Sequence, residues 1–457
     1  MSNEENIKKL EEKRNKINSV SPSFCTAKWL QTTLYLQNGY NHSCHHPSPH
    51  KIPLEEVLNS PSSLHNSQFK KLQRRLMLAG ERPKECDYCW KIEDLGKNYF
   101  SDRHYKSADY WAWDRFNEVS RSKADDDFFP SYLEISFSNA CNFACSYCSP
   151  EISSKWMDDI RNNGPYPVIH GSHDLNYLQK IGKIPYLQSE ENPYLNAFWK
   201  WFPNCLPFLK VLRITGGEPT MSKDLWRLLD FIKENPQPNL ELAINTNMGT
   251  PKNLIERLQK YVNLLQDNLK KIDIYTSIES TDKIAEYSRD GLDFKYWKSN
   301  VEDFLTNTNS TVAIMTTINI LSLHDFENFI DLIMSLRVKY NTCFEYNRIP
   351  FTVNYLRWPL HLQCTLIDLE LRIGIADAIE TKCQSYLKYY SKEKYARIYL
   401  EEFDQIKRFC DYLRSEPVNK ELRKDFVNFI VAYDKRRNKN FKEDFPMFSG
   451  YLEEWHA

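Results

Sequence analysis

Between residues 132 and 349 the sequence alternates between short β-branched or aromatic runs, typical of strands, and longer runs with one apolar face, typical of helices. The strand-like runs are 132–138, 210–215, 240–245, 271–278, 312–318 and 343–349. The helix-like runs are one that Ser222 can cap and those at 251–265, 294–305 and about 325–338. Six strands separated by helices predict an α/β fold built on a parallel sheet or a partial barrel.

Charge and composition narrow the class of protein. The 457 residues contain 60 Lys plus Arg and 61 Asp plus Glu, and the formal net charge of -1 gives no strong signal for nucleic acid binding. No run approaches the roughly 18 apolar residues of a membrane span, and the mixed-charge segment 1–22 lacks the apolar centre of a signal peptide. We therefore expect a cytoplasmic protein without a membrane partner, whose twelve cysteines are not paired in disulfides.

Cys141, Cys145 and Cys148 form a C-x3-C-x2-C tripod on the loop that follows the first predicted strand. The spacing turns three thiolates toward one centre, whereas a closed zinc site, or a cluster that only transfers electrons, takes four protein ligands. Three thiolates leave one iron of a 4Fe-4S cluster free for an outside ligand. A zinc site completed by a distant His or Cys is the alternative interpretation.

The second predicted strand leads into the Gly-Gly-Glu-Pro turn at 216–219. In a chain with only 12 glycines, this turn indicates that a ligand approaches the backbone closely. Other polar residues end or follow the later strands: Thr246, Asn247, Ser277, Glu279 and Asn319. Ligands of parallel α/β folds bind at the carboxyl ends of the strands. The tripod, the turn and these polar residues therefore predict one site at this end of the sheet.

A second group of cysteines lies in the first hundred residues: Cys25, Cys44, Cys86 and Cys89. A hairpin predicted at 32–39 returns Cys44 beside Cys25, and a short helix that Gly80 ends precedes the C-x2-C pair. Four thiolates can close a metal site, which is either an iron-sulfur cluster or structural zinc. A thioredoxin-like redox pair is disfavoured because no βαβ unit surrounds the C-x2-C pair.

The rest of the chain contains no pattern of residues that predicts a catalytic or metal site. The remaining cysteines have no short spacing and are interpreted as buried packing residues: Cys205, Cys343, Cys364, Cys383 and Cys410. Residues 161–195 are rich in Gly and Pro and predict a long insertion that borders the mouth of the barrel, where His170 and His173 are either substrate contacts or ordinary loop residues. Residues 360–457 are predicted to form a helical region that covers one edge of the barrel.

The tripod after a first strand and the Gly-Gly-Glu-Pro turn after a second together resemble the radical S-adenosylmethionine (SAM) superfamily over roughly residues 131–349. The resemblance implies a partial (β/α)6 TIM-type barrel at 130–350. It implies that Cys141, Cys145 and Cys148 bind three irons of a 4Fe-4S cluster and that SAM chelates the fourth. It also implies a cofactor-binding set: Tyr147, Gly216, Gly217, Glu218, Ser277, Glu279 and Arg289. For Arg289, an ordinary surface position is the alternative.

Residues 23–110 resemble SPASM and twitch modules, which carry auxiliary iron-sulfur clusters, in a subgroup where the module precedes the radical domain. The resemblance implies a second 4Fe-4S cluster with full cysteine ligation by Cys25, Cys44, Cys86 and Cys89. The subgroup's first motif places Cys, Pro and Trp close together, and its second site often doubles the cysteine. This chain has Cys-Thr-Ala-Lys-Trp at 25–29 and Cys44-His45-His46 instead, so His45 as a replacement ligand and zinc as the metal stay open.

By this resemblance the chain is a radical SAM oxidoreductase or maturase that reductively cleaves SAM to a 5′-deoxyadenosyl radical, with an electron donor such as flavodoxin or ferredoxin. Full ligation of the auxiliary cluster favours oxidation or cross-linking of a substrate, with a peptide or protein ranked first by analogy. A dehydrogenase of a small molecule, such as a sugar, alcohol or nucleotide, is the alternative. A rival of another class is a non-catalytic zinc-binding interaction protein that uses both cysteine groups as structural knuckles.

Overall fold

A computed structural model describes residues 3–96, 98–341, 346–389 and 397–455. Cys343 lies outside these ranges, so its predicted role as a packing residue is not addressed. None of the helices in the described ranges combines the length and the apolar character that a membrane span requires.

The strands run in chain order from the N-terminal module to the end of the predicted barrel. They are β1 (Gln31–Tyr35), β2 (Tyr40–His42), β3 (His50–Lys51), β4 (Tyr132–Ser136), β5 (Ala144–Cys145), β6 (Val211–Thr215), β7 (Gln237–Asn245), β8 (Leu269–Ser277), β9 (Arg289–Asp290), β10 (Thr311–Met315) and β11 (Phe351–Thr352). Within the described residues, nine of them form one sheet in the order β11-β10-β8-β7-β6-β4-β1-β2-β3, and β5 pairs with β9 separately. The pairs from β1 through β4 to β11 are parallel, and β1, β2 and β3 are antiparallel. Because this order has two ends, the described strands form an open sheet and not a closed barrel.

The α-helices fall into three regions of the chain. Before β4 they are Asn3–Val20, Ala27–Leu30, Leu54–Asn59, Ser63–Asn66, Gln68–Leu78, Asp87–Glu93, Asp102–Ala108, Tyr110–Trp113 and Phe116–Val119. Between β5 and β11 they are Ser154–Asn163, Leu175–Lys180, Pro193–Cys205, Lys223–Glu234, Lys252–Leu265, Asp282–Ser288, Phe294–Asn307 and Phe326–Tyr340. After β11 they are Leu369–Tyr389, Leu400–Ser415, Arg423–Arg437, Phe441–Asp444 and Tyr451–Glu454. The helical C-terminal region and the alternating order of the central region are as predicted.

Five of the six predicted barrel strands are observed with boundaries moved by at most three residues, but the sixth is displaced. Residues 346–349, the described part of the predicted run 343–349, are not in a strand, and β11 pairs with β10 instead. Arg348 is buried and donates to the carbonyl groups of Leu305 and Thr308. Pro350 has no N–H group to give to a ladder, so regular strand geometry begins only after it.

The N-terminal hairpin is part of the barrel sheet, which the sequence analysis did not anticipate. β1 and β2 form the predicted hairpin, with Tyr35 opposite Tyr40. β1 also pairs in parallel with β4, with Leu34 opposite Ile135. Leu34 and Ile135 consequently belong to the same apolar core as the central strands, while a second core surrounds the auxiliary cysteines. The N-terminal module thus shares the sheet and part of the central core, and it has a second core around its cysteines.

The insertion at 161–195 is more ordered than a long loop and contains the helix Leu175–Lys180. Its backbone joins the turn of the N-terminal hairpin, because the Tyr186 N–H donates to the Gln37 carbonyl (2.8 Å) and the Asn38 side chain donates to the Lys183 carbonyl (3.2 Å). At its other end, the Ile169 N–H donates to the Asp425 carboxylate (3.0 Å) of the C-terminal helices. The insertion therefore links the N-terminal hairpin to the C-terminal region.

Gly39→Ala is expected to lower the free energy of unfolding by about 2–4 kcal/mol. Gly39 has φ +69°, and an added Cβ would lie 2.1 Å from the buried ring of Tyr194. Thermal unfolding followed by circular dichroism checks the change. The control is Gly374→Ala, because a Cβ at Gly374 meets no heavy atom within 4 Å, and its helix should be unchanged or slightly stabilised. Equal melting temperatures for the two variants would contradict the packing described for this turn.

Candidate active site and auxiliary metal centre

The loop that carries the tripod is short and internally bonded. Cys141, Cys145 and Cys148 are each half-buried. The Cys148 N–H donates to the Cys145 carbonyl (2.9 Å), and the Phe143 N–H donates to Cys141 Sγ (3.4 Å). Burial and the two neighbouring thiols raise the pKa of Cys141, and burial raises that of Cys148 to about 12. The three thiols therefore lie near one another, and as neighbouring charges they need a cation to become thiolates together.

Three elements around the loop fix its course. β5, which contains Cys145, pairs with β9. The Trp156 indole donates to the Cys145 carbonyl (2.8 Å), and the Ser154 hydroxyl accepts from the Cys141 N–H (3.1 Å). Phe143 is buried against Gly249, where an added Cβ would lie 2.3 Å from its ring. The tripod is therefore held from the following helix, from β9 and from the loop after β7.

Gly216 and Gly217 after β6 are required because the tripod loop lies close to their backbone. The Gly217 N–H donates to the Ser138 carbonyl (3.2 Å), and a Cβ on Gly217 would lie 2.3 Å from the Ala140 carbonyl oxygen. Gly216 has φ +117°, and its Cβ would lie 2.6 Å from the Ser136 hydroxyl. Both glycines are partly exposed to solvent at the carboxyl end of the sheet. Their exposed backbone suits a ligand with an ammonium group, which pairs with carbonyl oxygens.

Glu218 holds the turn from within. Its side chain is 1% exposed, and burial raises its pKa. One carboxylate oxygen accepts from the Asn247 N–H (2.6 Å), and the other accepts from the Thr220 hydroxyl (2.7 Å). The Asn247 side chain donates in turn to the Asn142 side chain (2.8 Å) of the tripod loop. Glu218 therefore ties the loops after β4, β6 and β7 together.

Tyr147, Glu279 and Arg289, three of the predicted cofactor residues, form one buried cluster. The Tyr147 hydroxyl donates to Glu279 (3.0 Å), and the Arg289 guanidinium donates to the same carboxylate at 2.5 and 3.2 Å. Burial lowers the pKa of Arg289, but the attraction of Glu279 outweighs it and the net shift is upward. Arg289 is 4% exposed, so the alternative of a surface residue is wrong. Ser277 ends β8 half-buried and takes no part in this cluster.

The four N-terminal cysteines line one cavity, together with Lys28, Arg103 and Lys106. The cysteines are Cys25, Cys44, Cys86 and Cys89. Burial raises the pKa of Cys86 and of Cys89 to about 12, and the other thiols add to the shift. Among the described residues, no three of these sulfur atoms lie within 4.8 Å of one another. The hairpin thus returns Cys44 to the same cavity as Cys25, as predicted.

Lys28 supplies a buried positive charge at this cavity. Its side chain is 2% exposed and pairs with Glu85. Burial lowers the pKa of Lys28, but the thiolate of Cys86 and the Glu85 carboxylate outweigh burial and raise it overall. A permanent cation beside four thiolates lowers the cost of holding an anionic metal centre away from water.

His45 points away from the four cysteines. Its Nε2 lies 3.5 Å from an oxygen of Asp102, and His46 Nε2 lies 2.6 Å from the same atom. The ligand atoms of these three residues are mutually within 4.8 Å, and the His46 ring stacks on Tyr88 at 3.7 Å. In the sequence, His45 is a candidate only as a metal ligand in place of a cysteine. Nothing in the sequence points to Asp102, which lies 57 residues later in the chain.

The two histidines of the insertion differ in their surroundings. His173 is buried, with its ring centroid 4.9 Å from that of Trp156 and 5.3 Å from that of Trp358. His170 is exposed. His173 therefore supports the helix behind the tripod through packing, and neither histidine is bonded to the cluster of Tyr147.

Comparisons with known proteins concern the central region. A family model described as the radical SAM superfamily matches residues 135–333. A GTP 3′,8-cyclase from Campylobacter lari is 27% identical over 214 residues, which cover 46% of this chain and 52% of that protein. The molybdenum cofactor biosynthesis protein moc-5 from Caenorhabditis elegans is 28% identical over 197 residues, covering 40% of this chain and 26% of that protein. The chain thus spans about half, or less, of the length of these curated relatives.

A solved structure adds a weaker likeness. The crystal structure of Streptococcus suis SuiB bound to S-adenosylmethionine aligns with a TM-score of 0.32 and 14% sequence identity, covering 78% of this chain and 68% of that chain. The family match contains the tripod, the glycine turn and the buried cluster of Tyr147, whereas the four N-terminal cysteines lie outside it. Residues 135–333 therefore form a radical SAM domain.

Proposed function

We propose that the protein is an enzyme that reductively cleaves SAM at a 4Fe-4S cluster held by Cys141, Cys145 and Cys148. The observation that carries the proposal is the approach of the glycine turn to the tripod loop within the radical SAM domain. A reduced cluster held by the tripod would provide the electron for cleavage of the SAM C–S bond to methionine and a 5′-deoxyadenosyl radical, which would remove a hydrogen atom from substrate. The substrate C–H bond must be held close to that site and shielded from water.

The chain's own residues would divide the work of binding SAM. The backbone of Gly216 and Gly217 faces the site and would receive the ammonium group. Glu218 is occupied by backbone and hydroxyl donors, so it would position the turn and not contact SAM directly. Tyr147 would border the adenine, and the buried Glu279–Arg289 pair would keep β9 against the tripod loop. Ser277 remains a candidate contact from the end of β8.

We extend the proposal to a second 4Fe-4S cluster at the four N-terminal cysteines. Tetrahedral zinc with Zn–S bonds near 2.3 Å needs sulfur atoms about 3.8 Å apart, closer than three of these thiols come to one another. The wider spread and the cations Lys28, Arg103 and Lys106 at the cavity support a larger anionic cluster. A cluster with four protein thiolates can exchange electrons but offers no iron to substrate, which favours net oxidation or cross-linking.

The substrate is the least constrained part of the proposal. The sequence analysis ranks a peptide or protein first, but the curated relatives are named as GTP 3′,8-cyclases and favour a small molecule such as a nucleotide. We therefore place a small-molecule substrate ahead of a peptide. The zinc-only interaction protein has no support from the radical SAM match. The cytoplasm as location, and flavodoxin or ferredoxin as the electron donor, complete the proposal.

Replacing Cys141, Cys145 and Cys148 by Ala is expected to abolish formation of 5′-deoxyadenosine from SAM and to lower the iron content from about eight to about four per chain. The auxiliary cysteines lie in a separate core and should keep their iron. Iron assays and chromatography of anaerobically reconstituted protein check both quantities. Cys410→Ala, a buried cysteine remote from both groups, should keep full iron content and cleavage. Persistent cleavage by the triple variant would show that the roles are misassigned.

Replacing Cys86 and Cys89 by Ala is expected to remove about four irons while SAM cleavage continues, because the tripod is unchanged. Formation of the oxidised product should be lost, since its electron acceptor is gone. Metal analysis, 5′-deoxyadenosine quantification and a melting curve that verifies folding provide the measurements. Stoichiometric zinc without auxiliary iron in the wild-type protein would refute the second cluster and leave the first proposal standing.

A further inference from the structure

One face of the central sheet is polar and only half-buried. Along β4, β6, β7 and β8, buried apolar residues that pack with the helices alternate with half-buried residues on the opposite, inner face. The inner-face residues near the carboxyl ends are Glu134, Arg213, Thr215, Asn245 and Tyr275, and Met315 ends β10 half-buried. This face lies below the tripod loop and the glycine turn, so it is where a substrate would meet the radical.

Arg213 is a cationic residue in the middle of this face. The pairing of β4 with β6 places it opposite Glu134. Its guanidinium lies 4.3 Å from the ring of Tyr275 and donates to Met315 Sδ (3.1 Å). Its Nε is buried and has no hydrogen-bond partner. The guanidinium is therefore oriented by an aromatic ring but bonded mainly to weak acceptors.

Among the described residues, no carboxylate oxygen lies within 4.0 Å, the ion-pair distance, of the Arg213 guanidinium. Glu134 is the opposing carboxylate, but it accepts from the Thr215 hydroxyl (3.3 Å) instead. Burial raises the pKa of Glu134, and the more distant charge of Arg213 lowers it in part. Among the buried arginines, Arg289 pairs with Glu279 and Arg337 with Glu402, whereas Arg74, Arg348 and Arg372 donate to backbone carbonyl groups. Arg213 is thus a half-buried cation that has no carboxylate within ion-pair distance among the described residues and bonds to no carbonyl group.

Asn245 repeats the pattern one strand away. Its side-chain N–H group points to the same Met315 sulfur (3.8 Å), and its Oδ1 is buried without a partner. Two donors, one of them cationic, therefore converge on one thioether, which is a weak acceptor. An oxyanion at that position would accept from both donors and form charge-assisted bonds with the guanidinium.

We propose that Arg213, with Asn245 beside it, binds a carboxylate or phosphate group of a small-molecule substrate. The proposal rests on the proposed function, because it names the substrate class of the same site. The Tyr275 ring holds the guanidinium plane, and the oxyanion takes the place of the Met315 sulfur as acceptor. Carboxylate and phosphate share this chemistry and are separated by experiment below.

The test uses the reconstituted full-length holoenzyme with SAM and a chemical reductant. A low-molecular-mass ultrafiltrate of cell extract is divided by an anion exchanger into retained and unretained fractions, and 5′-deoxyadenosine is measured with each. We expect the retained fraction to stimulate wild-type protein. Arg213→Gln should lose at least about tenfold of that stimulation, because the substrate anchor is removed. Phosphatase treatment of the fraction abolishes stimulation if the group is a phosphate and spares it if it is a carboxylate.

Arg227→Gln provides the matched control, because Arg227 also stacks on an aromatic ring, Trp199 at 4.0 Å, but lies exposed on an outer helix. It should respond as wild type, and Arg213→Lys should retain part of the response. Stimulation found only in the unretained or the high-molecular-mass fraction, in no fraction, or equally in Arg213→Gln would overturn the proposal.

A second measurement separates this proposal from the proposed function. Tripolyphosphate and citrate are titrated into wild-type and Arg213→Gln holoenzyme by calorimetry, which needs no turnover. Weaker binding of at least one probe by about tenfold in the variant supports the anchor, and equal or absent binding of both overturns it. Failure of wild-type protein with full iron content to cleave SAM would instead contradict the proposed function and leave the calorimetric result to decide the anchor.

Discussion

The close approach of the turn after β6 to the loop after β4 is the contact on which the site depends. Backbone groups meet there directly, with the Glu218 N–H donating to the Ala140 carbonyl at 2.6 Å. A side chain on Gly217 cannot fit between them. The buried carboxylate of Glu218 extends the contact to the loop after β7. The contact therefore fixes the tripod loop and the glycine turn relative to each other. Radical chemistry needs such fixed positions, because the reactive carbon must be kept away from water.

Much of this site follows from local sequence. The tripod spacing limits how far apart three thiols can lie, and the strand before it fixes the end of the sheet on which they stand. Gly216 and Gly217 are informative for the same reason, because few other residues tolerate so close an approach. The hairpin that returns Cys44 to Cys25 is also local, since its turn lies at Asn38-Gly39.

Features that depend on distant pairing could not be predicted in this way. Nothing in the local pattern of residues 31–35 indicates that β1 pairs with β4, about a hundred residues later. The sixth strand is displaced where the Arg348 guanidinium donates to the carbonyl groups of Leu305 and Thr308, which are distant in sequence. Asp102 and Arg213 are similar cases, because a charged residue acquires significance only from what the fold places, or fails to place, opposite it.

The pairing of β1 with β4 has a consequence for electron transfer in the proposed enzyme. It continues the sheet into the module that carries the four auxiliary cysteines, so that module borders the inner face next to Glu134. The carboxylate of Glu134 is within electrostatic reach of Lys106, which lines the auxiliary cavity. A substrate anchored at Arg213 would therefore lie between the tripod and the auxiliary cysteines. Net oxidation requires that arrangement, because the carbon that loses hydrogen must also be close to the acceptor of the second electron.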